Sequence, residues 1–87
     1  MTGLEMRRRW KNIFVMCAMI SQKTKADCFF NYYPHINGVQ VKVYEFGWTP
    51  WSKGEQILDT YDGSCRDEET LEKAEEFLME MAIRLGV

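Results

Sequence analysis

Two hydrophobic periods alternate along this chain, and the changes between them mark its elements. From about Leu4 to Gln22, Met6, Trp10, Ile13, Phe14, Cys17 and Ile20 recur every three or four positions, which is one apolar stripe of a helix. Val15 and Met19 fall off that stripe, on the side of Arg8 and Asn12. A helix covered on one side only does not usually place both there, so either this helix is deeply buried or its outer side meets another chain. From about residue 27 the period drops to two. "CFFNYYPHINGVQVKVYEFGW" reads as two strands, about 27–36 and 39–48, joined at Asn37-Gly38. That dipeptide suits a two-residue type I′ turn, because both central residues need positive φ. Pro34 has no N–H to donate, so the first strand is expected at a sheet edge, or with Pro34 turned outward.

"EQILDTY" predicts a third strand at about 55–61 of ambiguous phase, with Ile57 and Tyr61 on one side and Gln56 and Leu58 on the other. "YDGS" ends it with a turn. The longer period then returns. Leu71, Ala74, Leu78, Met81 and Leu85, widened by Phe77 and Ala82, predict a core-facing helix at about 66–85. Ser64 or Asp67 can cap it, and Gly86 suits its stop. Met79 and Ile83 lie outside this stripe, beside Glu72 and Glu76. The expected fold is α+β: a single αβββα domain over residues 1–87, with a three-stranded antiparallel sheet and both helices on one face.

A two-residue turn would pair Ile36 with Val39, Tyr32 with Val43 and Phe29 with Phe46. Alternation then sorts the side chains into two faces. Ile36, Val39, Pro34, Val41, Tyr32, Val43 and Phe30 form an apolar face for the helices. His35, Gln40, Tyr33, Lys42, Asn31, Tyr44, Phe29 and Phe46 form a face that is both polar and aromatic. If the second strand runs on through Gly47, Trp48 joins the second face, although glycine is a common bulge site. Trp51, beyond Pro50, is free to fold over either side. Tyr33, Lys42, Tyr44, Phe46, Trp48 and Trp51 are therefore the candidate partner-binding residues. Val15, Met19, Met79 and Ile83 are candidate oligomer contacts. Aromatic residues and Met are the types that interfaces favour.

Composition changes this picture little. With 87 residues the chain has one small core, and 46% hydrophobic residues is ordinary for a folded domain. The net charge of −2 hides an asymmetry. Residues 1–53 carry eight cations against three carboxylates, a balance of +5; residues 54–87 carry three against ten, a balance of −7. Two differently charged helix faces account for this, as would charge-complementary packing in a dimer. Cys17, Cys28 and Cys65 are odd in number and show no CxxC spacing, which argues against a disulfide framework or a zinc site and for a reducing, cytoplasmic setting. "RRRWKNIFVMCAMI" has the basic-then-apolar order of a secretory signal. Its apolar run is short, however, lysines follow it, and it lacks a small-residue cleavage site.

Candidate chemistry is sparse. His35 is the only histidine, and no Cys or Ser is paired with it in a nucleophile motif. No phosphate loop or calcium loop is present, so the expectation is a protein that is not an enzyme and has no cofactor or metal. The element order matches the double-stranded-RNA-binding domain, and an aromatic sheet can stack bases. "RDEETLEK" nonetheless opens the second helix where that family needs lysines, which argues against nucleic acid as a partner. The acidic helix admits an opposite reading, a nucleic-acid mimic that inhibits a host defence nuclease. Membrane binding has no support.

The segment "FFNYYPHINGVQVKVYEFGW", followed by an acidic helix, resembles small uncharacterised proteins encoded by phages and prophages of Gram-positive bacteria. The resemblance implies the cytoplasm of a bacterial host and an accessory role. It carries no activity or functional residue with it. The expected function is a small non-enzymatic protein-interaction module that binds itself as a homodimer or binds a host or phage protein.

Overall fold

The computed structural model describes all 87 residues. Helix α1, Gly3–Lys23, begins at Thr2, whose hydroxyl accepts the Glu5 N–H at 3.1 Å. Strands β1 (Asp27–Tyr33), β2 (Gly38–Tyr44) and β3 (Glu55–Leu58) form one antiparallel sheet in the order β1-β2-β3. Helix α2, Glu68–Arg84, follows. The Asp67 carboxylate caps it by accepting the Thr70 N–H and hydroxyl, and those two bonds hold this carboxyl below the usual carboxylate range. Gly86, at φ 81°, ends it. The Gly86 and Val87 N–H groups return to the Ile83 and Ala82 carbonyls in a Schellman motif.

Both helices cover the same face of the sheet, as the αβββα expectation requires. Met6, Trp10, Ile13, Cys17 and Ile20 of α1 meet Val39, Val41 and Val43 of β2, Leu58 of β3, and Leu71, Ala74, Leu78 and Met81 of α2. Trp10, in the first half of α1, reaches Cys65 just before α2, and Arg84 at the end of α2 pairs with Glu45, next to the Tyr44 that faces Asp27 just after α1, so α1 and α2 run parallel. Arg9 lies 3.2 Å from Glu75, 3.7 Å from Glu72 and 3.9 Å from Glu68. Part of the charge asymmetry is thus complementary packing within one chain.

The hairpin departs from the two-residue turn. Pro34–Ile36 form a single 3₁₀ turn, closed by the Asn37 N–H on the Pro34 carbonyl at 3.2 Å. Only Asn37 takes a left-handed conformation, at φ 48°. The fixed φ of proline suits such a turn and removes a ladder donor, so β1 ends at Tyr33. Val39 consequently faces Tyr32 instead of Ile36, a displacement of four positions. An even displacement leaves every side chain on its predicted face. Gly38 meets a different demand from the one read in the sequence. Its φ is not positive, and a Cβ there would fall 2.6 Å from the Thr60 Cγ2.

Two further expectations are corrected. β2 stops at Tyr44, because a turn closed by the Gly47 N–H on the Tyr44 carbonyl (3.1 Å) and Gly47 at φ 92° break the strand, so Trp48 does not continue its alternation. β3 is four residues long and carries a bulge: Leu58 faces Val41 while Gln56 faces Lys42, leaving Ile57 as the extra residue. The bulge removes the phase ambiguity. Gln56 lies on the outer face, and Ile57 and Leu58 both pack against the core.

Candidate interaction surface

Away from the helices, the sheet face is made by Phe29, Asn31 and Tyr33 of β1, Gln40, Lys42 and Tyr44 of β2, and Gln56 of β3. Lateral contacts knit it together. The Tyr33 hydroxyl donates to Gln40 Oε1 at 3.4 Å, and Gln40 Nε2 donates to Gln56 Oε1 at 2.9 Å. The Phe29 and Tyr44 ring centroids are 5.3 Å apart, and the Lys42 ammonium lies 5.8 Å from the Tyr44 ring. Just before β3, Gly54 stands beside Tyr44 at the end of the β2–β3 ladder, where a Cβ would lie 2.7 Å from Tyr44 Cζ and 2.9 Å from Lys42 Cγ.

The packing of Tyr44 over Gly54 corrects one predicted contact residue. Tyr44 is only 8% exposed, although it points away from the helices. It is a structural residue of the outer layer; Lys42 beside it and Tyr33 at the far end of the face are half-buried. Replacement of Tyr44 by serine is therefore expected to cost about 2–4 kcal/mol, as large-to-small changes at buried sites do. Trp51→Ser should stay within about 0.5 kcal/mol, as for exposed positions. Urea unfolding of the two variants checks this, and equal midpoints would contradict the burial of Tyr44.

The remaining three predicted rings sit on the connection 45–54, and this loop is tied down along its length. The Trp48 N–H donates to Asp27 Oδ2 at 2.7 Å. Ser52 Oγ accepts the Thr49 N–H, and its own hydroxyl bonds the Thr49 carbonyl, both at 2.8 Å. A Cβ on Gly47 would approach the Lys25 carbonyl to 3.1 Å, so the loop also packs closely against the segment before β1. On this held backbone Phe46 is 92% exposed, Trp51 91% and Trp48 50%. The cluster of rings in "VYEFGWTPW" is therefore divided, with Tyr44 inside and the other three in solvent.

Val15, Met19, Met79 and Ile83 are all exposed on the helix layer, opposite the sheet. His35 is exposed in the hairpin turn, its ring 6.4 Å from that of Tyr33. No group of three or more His, Cys, Asp or Glu side chains is arranged to hold a metal ion, and no helix is long and apolar enough to cross a membrane.

Sequence reasoning missed two features of the α1–β1 side. Cys17 and Cys28 are neighbours at an open cavity of about 400 Å³, with Phe14, Ser21 and Phe30 around them. The neighbouring Cys28, together with burial, pushes the Cys17 thiol up, whereas Cys17 and Ser21 pull the Cys28 thiol down against the effect of burial. Spacing alone could not reveal this pair, because eleven positions across two element types separate its members. Tyr32, assigned to the covered face, is 56% exposed, and Phe14, assigned to the buried stripe, is also exposed. The Phe14 and Phe30 rings pack edge-to-face at 5.3 Å along the open side of the sheet. The edge position implied by Pro34 was the available signal that this flank lacks full cover.

No protein family, curated protein or solved structure matches this chain.

Proposed function

We propose that the chain is a non-enzymatic protein-interaction module of phage or prophage origin, working in the cytoplasm of a bacterial host. Its contact site is the loop bearing Phe46, Trp48 and Trp51, and its partner is a host or phage protein. The observation that carries this reading is the combination of exposed rings and a pinned backbone. Each large apolar side chain left in water forgoes about 1.5–3 kcal/mol of burial. A loop free to fold would tuck such rings away; this one is held by Asp27, by the Thr49–Ser52 turn and by the approach to Lys25. A loop already ordered also loses less entropy on binding. The origin rests on the resemblance of the hairpin segment to phage and prophage proteins.

The rival readings draw less support. Of the three consecutive arginines that would serve phosphates, Arg9 is occupied by Glu68, Glu72 and Glu75. The same contacts neutralise part of the carboxylate row that a nucleic-acid mimic would display.

Affinity capture from infected or lysogenic cells tests the proposal, with the native chain and Phe46→Ser/Trp51→Ser as matched baits. The double variant should unfold at the native temperature and retain about tenfold less of any specific partner, the loss expected when hot-spot rings are removed. Equal capture by both baits, or no specific capture by either, rejects the loop as a docking site.

A further inference from the structure

We propose that the free edge of β1 pairs with β1 of a second copy, antiparallel about a two-fold axis at Asn31, and joins two sheets into one of six strands. This uses a different surface from the aromatic loop and stands independently of it.

The argument begins with the direction of the backbone groups. The Cys28 N–H donates to Ser21 Oγ of α1 at 2.9 Å, so it points away from β2. Alternation along a strand then turns the N–H and C=O of Phe30 and Tyr32 to the same open side. β1 is seven residues long, regular in its pairing with β2, and free of lysine. Such an edge lacks the usual protections against pairing, whereas β3, the other edge, is short and bulged.

The strand complements itself in one register. With Asn31 opposite Asn31 of the second copy, Phe30 faces Tyr32 on both sides of the axis. The four free backbone groups of each strand are then satisfied. The next position sets Cys28 against Pro34 of the second copy. The Cys28 N–H is already committed to Ser21, proline has no N–H, and the Pro34 carbonyl is taken by Asn37. The ladder therefore stops where neither strand has a donor left. A register centred on Phe30 would need the Cys28 N–H, and one centred on Tyr32 would need an N–H from Pro34.

Side chains agree with this choice. Phe30 meets Tyr32 on the helix side and Phe29 meets Tyr33 on the other, both aromatic cross-strand pairs. The exposed Asn31 amides lie face to face and can bond each other. A second copy thus fits this edge in backbone and side chain.

Sedimentation equilibrium and oxidative cross-linking test the pairing. The native chain should be a dimer, and Asn31→Lys should weaken it by about a hundredfold, because two like charges would be opposed at the axis. Asn31→Cys should form a covalent dimer in air, since facing residues of a non-hydrogen-bonded pair bring their Cβ atoms close, whereas Phe29→Cys should not. Phe46→Ser/Trp51→Ser should leave the dimer intact, which separates this proposal from the loop site. A native monomer at about 100 μM, well above the dissociation constant of a specific dimer, overturns it. So does a dimer that survives Asn31→Lys without Asn31→Cys cross-linking, which would transfer the contact to the helix layer. If Asn31→Lys fails to fold, the two cysteine variants decide alone.

Discussion

Replacing Trp10 by alanine is expected to remove the larger part of the folding stability of the chain. The indole is buried at the meeting of α1, the sheet and the turn before α2, and its Nε1–H donates to the Cys65 carbonyl at 2.7 Å. Removing a buried Trp side chain costs about 3–5 kcal/mol in lost burial and cavity. A buried carbonyl deprived of its donor adds about 1–3 kcal/mol. A domain of this size has roughly 4–13 kcal/mol in total, at 0.05–0.15 kcal/mol per residue. Trp10→Phe separates the two contributions, because it keeps most of the apolar volume and loses only the donor. It should lower the urea midpoint by the equivalent of about 2–3 kcal/mol with an unchanged slope. Wild-type behaviour of Trp10→Phe would mean that the bond to Cys65 contributes nothing.

Gly38→Val should cost about 3 kcal/mol or more, because the new side chain would occupy the space of Thr60. For a domain this small, that lowers the melting temperature by roughly 12–24 °C, at 4–8 °C per kcal/mol. Gly38→Asn is the more discriminating substitution. A glycine kept for positive φ accepts asparagine at little cost, since Asn visits that region readily. A glycine kept for space does not accept it. Here φ is not positive, so Gly38→Asn should be nearly as damaging as Gly38→Val. Gly38→Ala measured in a Thr60→Ala background should recover part of its loss, because two of the three crowding atoms, Oγ1 and Cγ2, are gone while Cβ stays. A mild Gly38→Asn would restore the two-residue turn as the correct account of this hairpin.

These two positions also show what could be read along the chain. Trp10 was recognisable as a core residue, since it lies on a stripe of period 3.6 and period is a local property. Its hydrogen-bond partner is 55 positions away, and no local pattern encodes that. Asn37-Gly38 was recognisable as a turn, but its type depended on competition. Pro34 favours a 3₁₀ turn and withdraws a donor from the ladder, and the resulting four-residue connection displaced the register. The faces survived because the displacement is even.

The candidate site divides in the same way. Exposure of Phe46 and Trp51 agrees with their loop position, but the burial of Tyr44 follows from its ring packing over Gly54 and against Phe29, contacts between segments ten or more residues apart. The bulge at Ile57 likewise depends on pairing with β2, and pairing is not visible in a strand of four residues. Phe14 and Tyr32 are exposed because β1 is an edge that α1 covers only in part, which hydrophobic period cannot distinguish from full cover.

The chain alone determined the order of elements, the αβββα class, the capping of α2 and the side of the sheet on which each β1 and β2 residue lies. Those properties depend on residues within a turn or two of each other, where φ preference, side-chain period and capping chemistry act directly. Tertiary structure decided the register, the bulge, the partners of Trp10 and Arg9, the covering of Tyr44 and the openness of the β1 edge. Each of those is a choice among packings of nearly equal local energy, and only contacts between distant segments separate them.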